Sequence, residues 1–267
     1  DATNTDLTAF QAKYTSLPAQ HANRIHCIAW SDYVSAAKLE AQKGLRIDLN
    51  YYYWPGSWVA NRPGFMTGSG MSMRFADTDG SLVDTYQVPS HLVNESGQSF
   101  PQNIDTMLDR ANGVEGYYGV LGTHYDYSDS FDRQLVQSAK TRGVPLVSAQ
   151  QLLDWNDGRN DSYFSDSSWS GNTFTFTSTI DAKLRQMGRV LLPLSSKNGT
   201  VLTITKDGSP LSFTTETMKG VAYAVFTATS GTYSVAYGQD TTAPTVTSAT
   251  PAADATGVNV ASSVDVT

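Results

Sequence analysis

The chain has 267 residues, enough for one large or two ordinary domains with a real core, and carries a formal net charge of −7. That balance excludes the clustered Lys and Arg of a nucleic-acid surface, and no apolar run is long enough to span a bilayer. The lone Cys27 excludes an internal disulfide and a cysteine zinc site, and its apolar setting in "RIHCIAW" reads as an inert buried thiol.

Up to about residue 157 helical and strand patterns alternate. "TDLTAFQAKYTSL" carries Leu7, Phe10, Tyr14 and Leu17 at the spacing of one helix face. "RIHCIAW" reads as a buried strand, and "SDYVSAAKLEAQKG" as a helix with Ser31 as N-cap and Gly44 as its stop. Further strands are expected in "LRIDLNYYY", in "MSMRFAD" and, after the turn "DTDG", in "SLVDTYQV". "FPQNIDTMLDRANG" is a helix, "GYYGVLGTH" a strand, "SDSFDRQLVQSAKTRG" a helix, "VPLVSA" a strand and "AQQLLDWND" a helix. Such alternation implies βα units on a parallel sheet.

After "NDGRNDS" the helical signals stop. "NTFTFTSTI", "MGRVLLPL", "TVLTITKDGSPLSFTT", "GVAYAVFTAT" and "GTYSVAYG" are short alternating strands, the pattern of an antiparallel sandwich over 158–238 with Trp169 expected in its core. In 239–267, "DTTAP" is a linker, and the remaining residues supply two or three strands, too few to bury a core alone. The chain is therefore expected to end within a further domain.

In a parallel α/β fold functional groups gather at the C-terminal ends of strands. His124 and Asp126 close the strand "GYYGVLGTH" just before a helix. A His there suits general acid–base work, the bland alternative being a loop-capping His. Asp48 lies inside its strand with Asn50 on the same face, and a buried carboxylate must be paired or used. Arg24 and His26 share a face of the preceding strand, either as orienting groups for Asp48 or as half of a structural Arg–Asp pair. His21 and His26 are badly spaced for a metal pair, His91 reads as an exposed loop residue, and Asp77 and Asp79 as turn residues rather than calcium ligands. No nucleophile elbow, phosphate loop or dinucleotide fingerprint occurs.

The run "YYYWPGSW" sets Tyr51 and Tyr53 on one face and Tyr52 and Trp54 on the other. It leads into a Gly-rich loop carrying Trp58 and Arg62. These aromatics are either core or a platform for pyranose rings.

Residues from about 20 to 157 resemble the C-terminal half of the polysaccharide deacetylase superfamily, the carbohydrate esterase family four barrel. The resemblance rests on "RIHCIAW", "GLRIDLN", "NRPGFMTGSGMSMRF", "VLGTHYD" and the closing "RGVPLVSAQQLLDW", in that order. The segment "APTVTSATPAADATGVNV" is similar to the start of bacterial Ig-like repeats. The resemblance implies a partial (β/α) barrel over 1–157, then the β-sandwich, then an incomplete Ig-like domain. It also implies a zinc-like divalent metal held by an Asp and two His, whose bound water attacks an acetyl group. The late-strand acid maps onto His124, and Asp48 is the second candidate catalytic residue, as a supporting charge. Arg24, His26, Tyr52, Trp54, Trp58, Arg62, Asp77 and Asp126 are the candidate substrate contacts. The family's early Asp-Asp and His-Ser/Thr-x-x-x-His motifs have no match, so the metal ligands are expected upstream, and this chain alone is expected to be inactive.

The expected protein is a secreted or cell-surface bacterial hydrolase, monomeric, that removes acetyl groups from a polysaccharide or cell-wall glycan and binds no nucleic acid. One rival is a glycosidase needing two carboxylates roughly 5 or 6.5–9.5 Å apart, drawn from Asp48, Asp77 and Asp126. The other is a non-catalytic module for glycan adhesion.

Overall fold

The structure is a computed structural model and describes residues 2–24, 32, 34–50, 70–88, 90–93, 101–116, 119–125, 131–184, 187–238, 248–252, 254–258 and 265–266. Helix α1 (Ala2–Lys13) begins earlier than its apolar pattern, and its Phe10–Tyr14 pair, 4.8 Å between ring centres, stays largely exposed with Leu17.

Strand β1 (Ala22–Asn23), helix α2 (Ser35–Gln42) and strand β2 (Ile47–Asp48) form a βαβ unit with β1 and β2 parallel. Ser31 lies outside the described residues. The start of α2 is held by Asp32, whose Oδ1 accepts the backbone N–H groups of Val34 (2.9 Å) and Ser35 (2.7 Å). Its stop is the expected one. Gly44 has φ +75°, and the N–H groups of Gly44 and Leu45 return to the Ala41 and Glu40 carbonyls.

Strands β3 (Met73–Ala76) and β4 (Leu82–Gln87) form the hairpin expected around "DTDG", and β4 also runs parallel to β2. The sheet order is β1-β2-β4-β3, so the sheet is mixed rather than wholly parallel. Strand β5 (Ser90–Val93), helix α3 (Gln102–Asn112) and strand β6 (Gly122–His124) make a second parallel pair. His91 thus sits in a strand, not a loop. Helix α4 (Phe131–Thr141) and helix α5 (Ala149–Asn160) come next.

The strand expected at "VPLVSA" does not form. Leu146 and Val147 are half-exposed, and Ser148 instead caps α5 in a reciprocal box with Gln151. Helix α5 runs on to Asn160, beyond the boundary expected at 157.

The four-stranded sheet is covered on both faces. Thr85 and Val83 turn toward α2, where the Thr85 hydroxyl lies 3.0 Å from the Leu45 carbonyl and Val83 packs with Val34 and Ala37. Ile47, Tyr86 and Val88 turn the other way, onto Leu152 and Leu153 of α5. A separate cluster of Leu92, Ile104, Met107, Leu108 and Ala139 joins β5 to α3 and α4. Arg46 fastens β2 to α5 through two bonds to Asp157, 2.6 and 2.8 Å. No sheet among the described residues closes into a barrel.

The all-β unit forms as the alternation predicts. Its strands are β7 (Tyr163–Ser170), β8 (Thr173–Thr179), β9 (Arg189–Pro193), β10 (Ser195–Ser196), β11 (Gly199–Lys206), β12 (Ser209–Leu211), β13 (Thr214–Met218), β14 (Val221–Thr227) and β15 (Gly231–Gly238). They form a six-stranded antiparallel sheet, β10-β11-β15-β8-β7 with β12 on β11, and a three-stranded sheet, β13-β14-β9. Phe176, Val190, Ile204, Phe226, Tyr233 and Val235 fill the core from both sheets. Trp169 is not core. It lies on the edge strand β7, 46% exposed, with its ring against Phe174 (5.1 Å) and Tyr237 (5.2 Å). Strands β16 (Ala249–Thr250) and β17 (Asp265–Val266) form a final antiparallel pair.

Candidate active site

Parallel pairing carries Asn23, Asp48 and Gln87 to one level at the C-terminal ends of β1, β2 and β4. Since side chains alternate along a strand, Ile47 and Asp48 enter opposite faces. Ile47 joins the apolar layer under α5, and Asp48 is 0% exposed on the side of α2. There it meets Glu40, 4% exposed in the last turn of the helix.

The polar neighbours of this pair are few. Asp48 Oδ1 accepts the Asn50 backbone N–H at 2.7 Å, closing a local turn. Glu40 Oε1 accepts from Asn23 Nδ2 at 2.8 Å and Asn50 Nδ2 at 3.3 Å. The other two oxygens, Glu40 Oε2 and Asp48 Oδ2, are buried without a hydrogen-bond partner among the described residues. Two desolvated carboxylates with free oxygens cannot both ionise cheaply. Burial first, and then the Asp48 charge, push Glu40 up to about 7, opposed by its bond from Asn23. Burial pushes Asp48 up to about 6, opposed by its bonds from Asn50. Both carboxyls are therefore pushed toward neutral pH, the range in which a carboxylic acid can exchange a proton.

The sequence places Asp48 and Asn50 correctly on one face, but the reading of strands and loops passes over Glu40. The signal is present: Ala37, Glu40 and Ala41 recur at i, i+3 and i+4, which sets a carboxylate on the packed face of α2.

Asn23, rather than Arg24, stands level with Asp48. Arg24 directly follows β1 at the same strand ends. His124 closes β6 as expected, but it is level with Val93, further along the chain than the Gln87 that is level with Asp48. Asp77 belongs to the hairpin turn, 2.6 Å from Lys38, whose hydrogen bond holds its carboxyl below the usual range. Among the described residues it is a surface ion pair, apart from Asp48. His21 is structural, its Nδ1 donating to the Gly44 carbonyl at 2.9 Å. His26, Cys27, Tyr51, Tyr52, Tyr53, Trp54, Trp58, Arg62 and Asp126 lie outside the described residues.

No three His, Cys, Asp or Glu side chains gather closely enough to hold a metal among the described residues. The side chains grouped here, Glu40, Asp48, Asn23 and Asn50, are all carboxylate or amide groups, which does not fit a zinc-like site built on two histidines. No helix among the described residues is long and apolar enough to cross a membrane.

Comparison with family models, with curated proteins and with solved structures finds no match for the chain.

Proposed function

We propose that the α/β unit belongs to a carbohydrate-active hydrolase of the deacetylase-like barrel type, exported to the cell surface, and that Glu40 and Asp48 are its proton-holding pair. The observation that carries this reading is the burial of Asp48, at the C-terminal end of β2, together with Glu40 of α2, each with an oxygen that has no hydrogen-bond partner among the described residues. In this reading the ionised partner takes a proton from the attacking water. The protonated one gives a proton to the leaving nitrogen or oxygen as the acetyl group departs. Asn23 and Asn50 fix the carboxylates through bonds that a reacting water cannot rotate away. Export to the surface draws support from composition, a single cysteine with abundant Ser, Thr, Gly and Asn.

The same pair favours a second reading. A glycosidase needs two carboxylates, and Glu40 supplies the partner for Asp48 that Asp77, tied to Lys38, does not.

One assay on the full-length protein separates these readings: acetate and reducing sugar released from acetylated chitin, peptidoglycan and xylan oligomers. The deacetylase reading expects acetate, lowered on the order of 10²–10⁴-fold in Asp48→Asn. Reducing sugar with the same loss moves the chemistry to glycoside cleavage. Glycan binding with neither product overturns the hydrolase and leaves an adhesion module.

A further inference from the structure

On the opposite face of the same sheet, between the β3–β4 hairpin and the C-terminal half of α5, lies a cleft of about 320 Å³. Its walls are Ser72, Arg74, Tyr86, Asn156, Arg159 and Asn160, with an apolar edge at Leu82. The last three polar residues fall at i, i+3 and i+4 along α5, so one helical stripe supplies an amide, a guanidinium and a second amide.

Two buried polar groups facing the cleft are donors in need of an acceptor. Asn156 is 4% exposed, yet its Nδ2 has no hydrogen-bond partner among the described residues. Tyr86 is 3% exposed, and its hydroxyl oxygen already accepts from Arg74 Nη2 at 3.1 Å and Asn160 Nδ2 at 2.6 Å. Both accepted bonds occupy lone pairs, so the phenolic proton is left to donate. Leaving buried donors unmade is costly, and a cleft with two such groups is suited to an acceptor.

The charge balance says which acceptor. Arg159 has no carboxylate partner among the described residues and is braced over the Trp155 ring at 5.7 Å. Arg74 is braced over the Tyr86 ring at 4.9 Å and shares Asp84, at 3.4 Å, with Arg46. The excess is thus about one positive charge, and the negative end of the α5 dipole trims it further. A monoanion matches this excess and a dianion overshoots it. Planar guanidinium and amide donors pair bidentately with a planar acceptor.

We infer that this cleft is a binding site for a carboxylate, of the kind a uronic acid residue carries. It is independent of the acid–base pair, which faces α2 across the sheet.

The test is calorimetric titration of the full chain with glucuronate, glucose and inorganic phosphate at neutral pH and low salt. Glucuronate is expected to bind, glucose not to, and Arg159→Gln to weaken glucuronate by about tenfold or more. Arg159 is exposed, so this variant keeps its fold, whereas Tyr86→Phe probes the phenolic donor from inside the core. Arg133→Gln, an exposed arginine on α4, is expected to change nothing. Three results overturn the site: glucuronate binding no better than glucose, a loss as large in Arg133→Gln as in Arg159→Gln, or phosphate binding tighter than glucuronate.

Discussion

Glu40 and Asp48 come from a helix and a strand, are both buried on the α2 face of the sheet, and each keeps one carboxylate oxygen without a partner among the described residues. Asn50 ties them together, its backbone N–H bound to Asp48 and its side chain to Glu40.

This relationship fixes a pH dependence of stability. Both carboxyls are raised in the folded state, to about 7 and about 6, so between pH ~4 and ~7 the folded chain binds more protons than the unfolded one. Their contribution is full below pH ~4, fades as pH rises through 6 and 7, and is gone above. For Glu40 alone, a rise from 4.5 to about 7 amounts to on the order of 3 kcal/mol. Glu40→Gln keeps an oxygen for Asn23 and Asn50 and adds a donor toward Asp48. Urea melts of this variant should show little change at pH 5 and a gain of roughly 1–3 kcal/mol at pH 8. An unchanged slope between pH 5 and 8 would contradict the pair.

Arg46 makes two contacts of very different worth. Asp157 is 8% exposed and bound bidentately, while the Asp84 side chain is 58% exposed. Burial acts against the Asp157 charge, yet the Arg46 bonds and charge hold its carboxyl below the usual range. Removing Arg46 leaves the buried Asp157 carboxylate with only the longer Lys183 contact at 3.6 Å, so Arg46→Gln should cost about 1–3 kcal/mol in chemical denaturation. Asp84→Asn should cost less than about 1 kcal/mol. Equal effects would show that the Asp157 side of the latch is not the stronger one.

Gly158 lies within α5, where Ala is ordinarily better by about 1 kcal/mol. Here a Cβ would stand 2.6 Å from the Leu184 backbone nitrogen and 2.8 Å from its side chain. Contact outweighs propensity, and Gly158→Ala should lower stability by about 1–3 kcal/mol and lower the melting temperature. A raised melting temperature would mean that the helix and the turn Ala182–Leu184 can part without loss.

Tyr233 is fully buried in the sandwich, and its hydroxyl donates to the Thr229 carbonyl at 2.7 Å. Tyr233→Phe removes that donor and leaves a polar partner behind, an expected loss of about 1–2 kcal/mol in thermal unfolding. A neutral effect would show that the Thr229 carbonyl finds water instead.

The sequence is legible wherever a short window determines the structure. The stop at Gly44, the "DTDG" hairpin and the type of nearly every sandwich strand come from local turn chemistry and period. The shared face of Asp48 and Asn50 comes from strand alternation. Strand β7 escapes notice because "YFSDSSWS" is composed like a loop; pairing with β8 makes it a strand. "VPLVSA" fails in the opposite sense, with strand-like residues but no strand paired to it among the described residues and a helix cap to supply. Arg46 and Asp157 lie 111 residues apart, and no local pattern announces such a pair. Glu40 is overlooked when its helix is judged by its ends rather than by which face it buries.

The most direct test is a carbon-13 NMR titration of the side-chain carboxyls in the full chain, from pH 3 to 9. The pair predicts two carboxyls titrating near 6 and 7, with the upper one lost in Glu40→Gln and the other shifted downward. Every Asp and Glu titrating below pH ~5 would contradict it and leave Glu40 and Asp48 without an acid–base role.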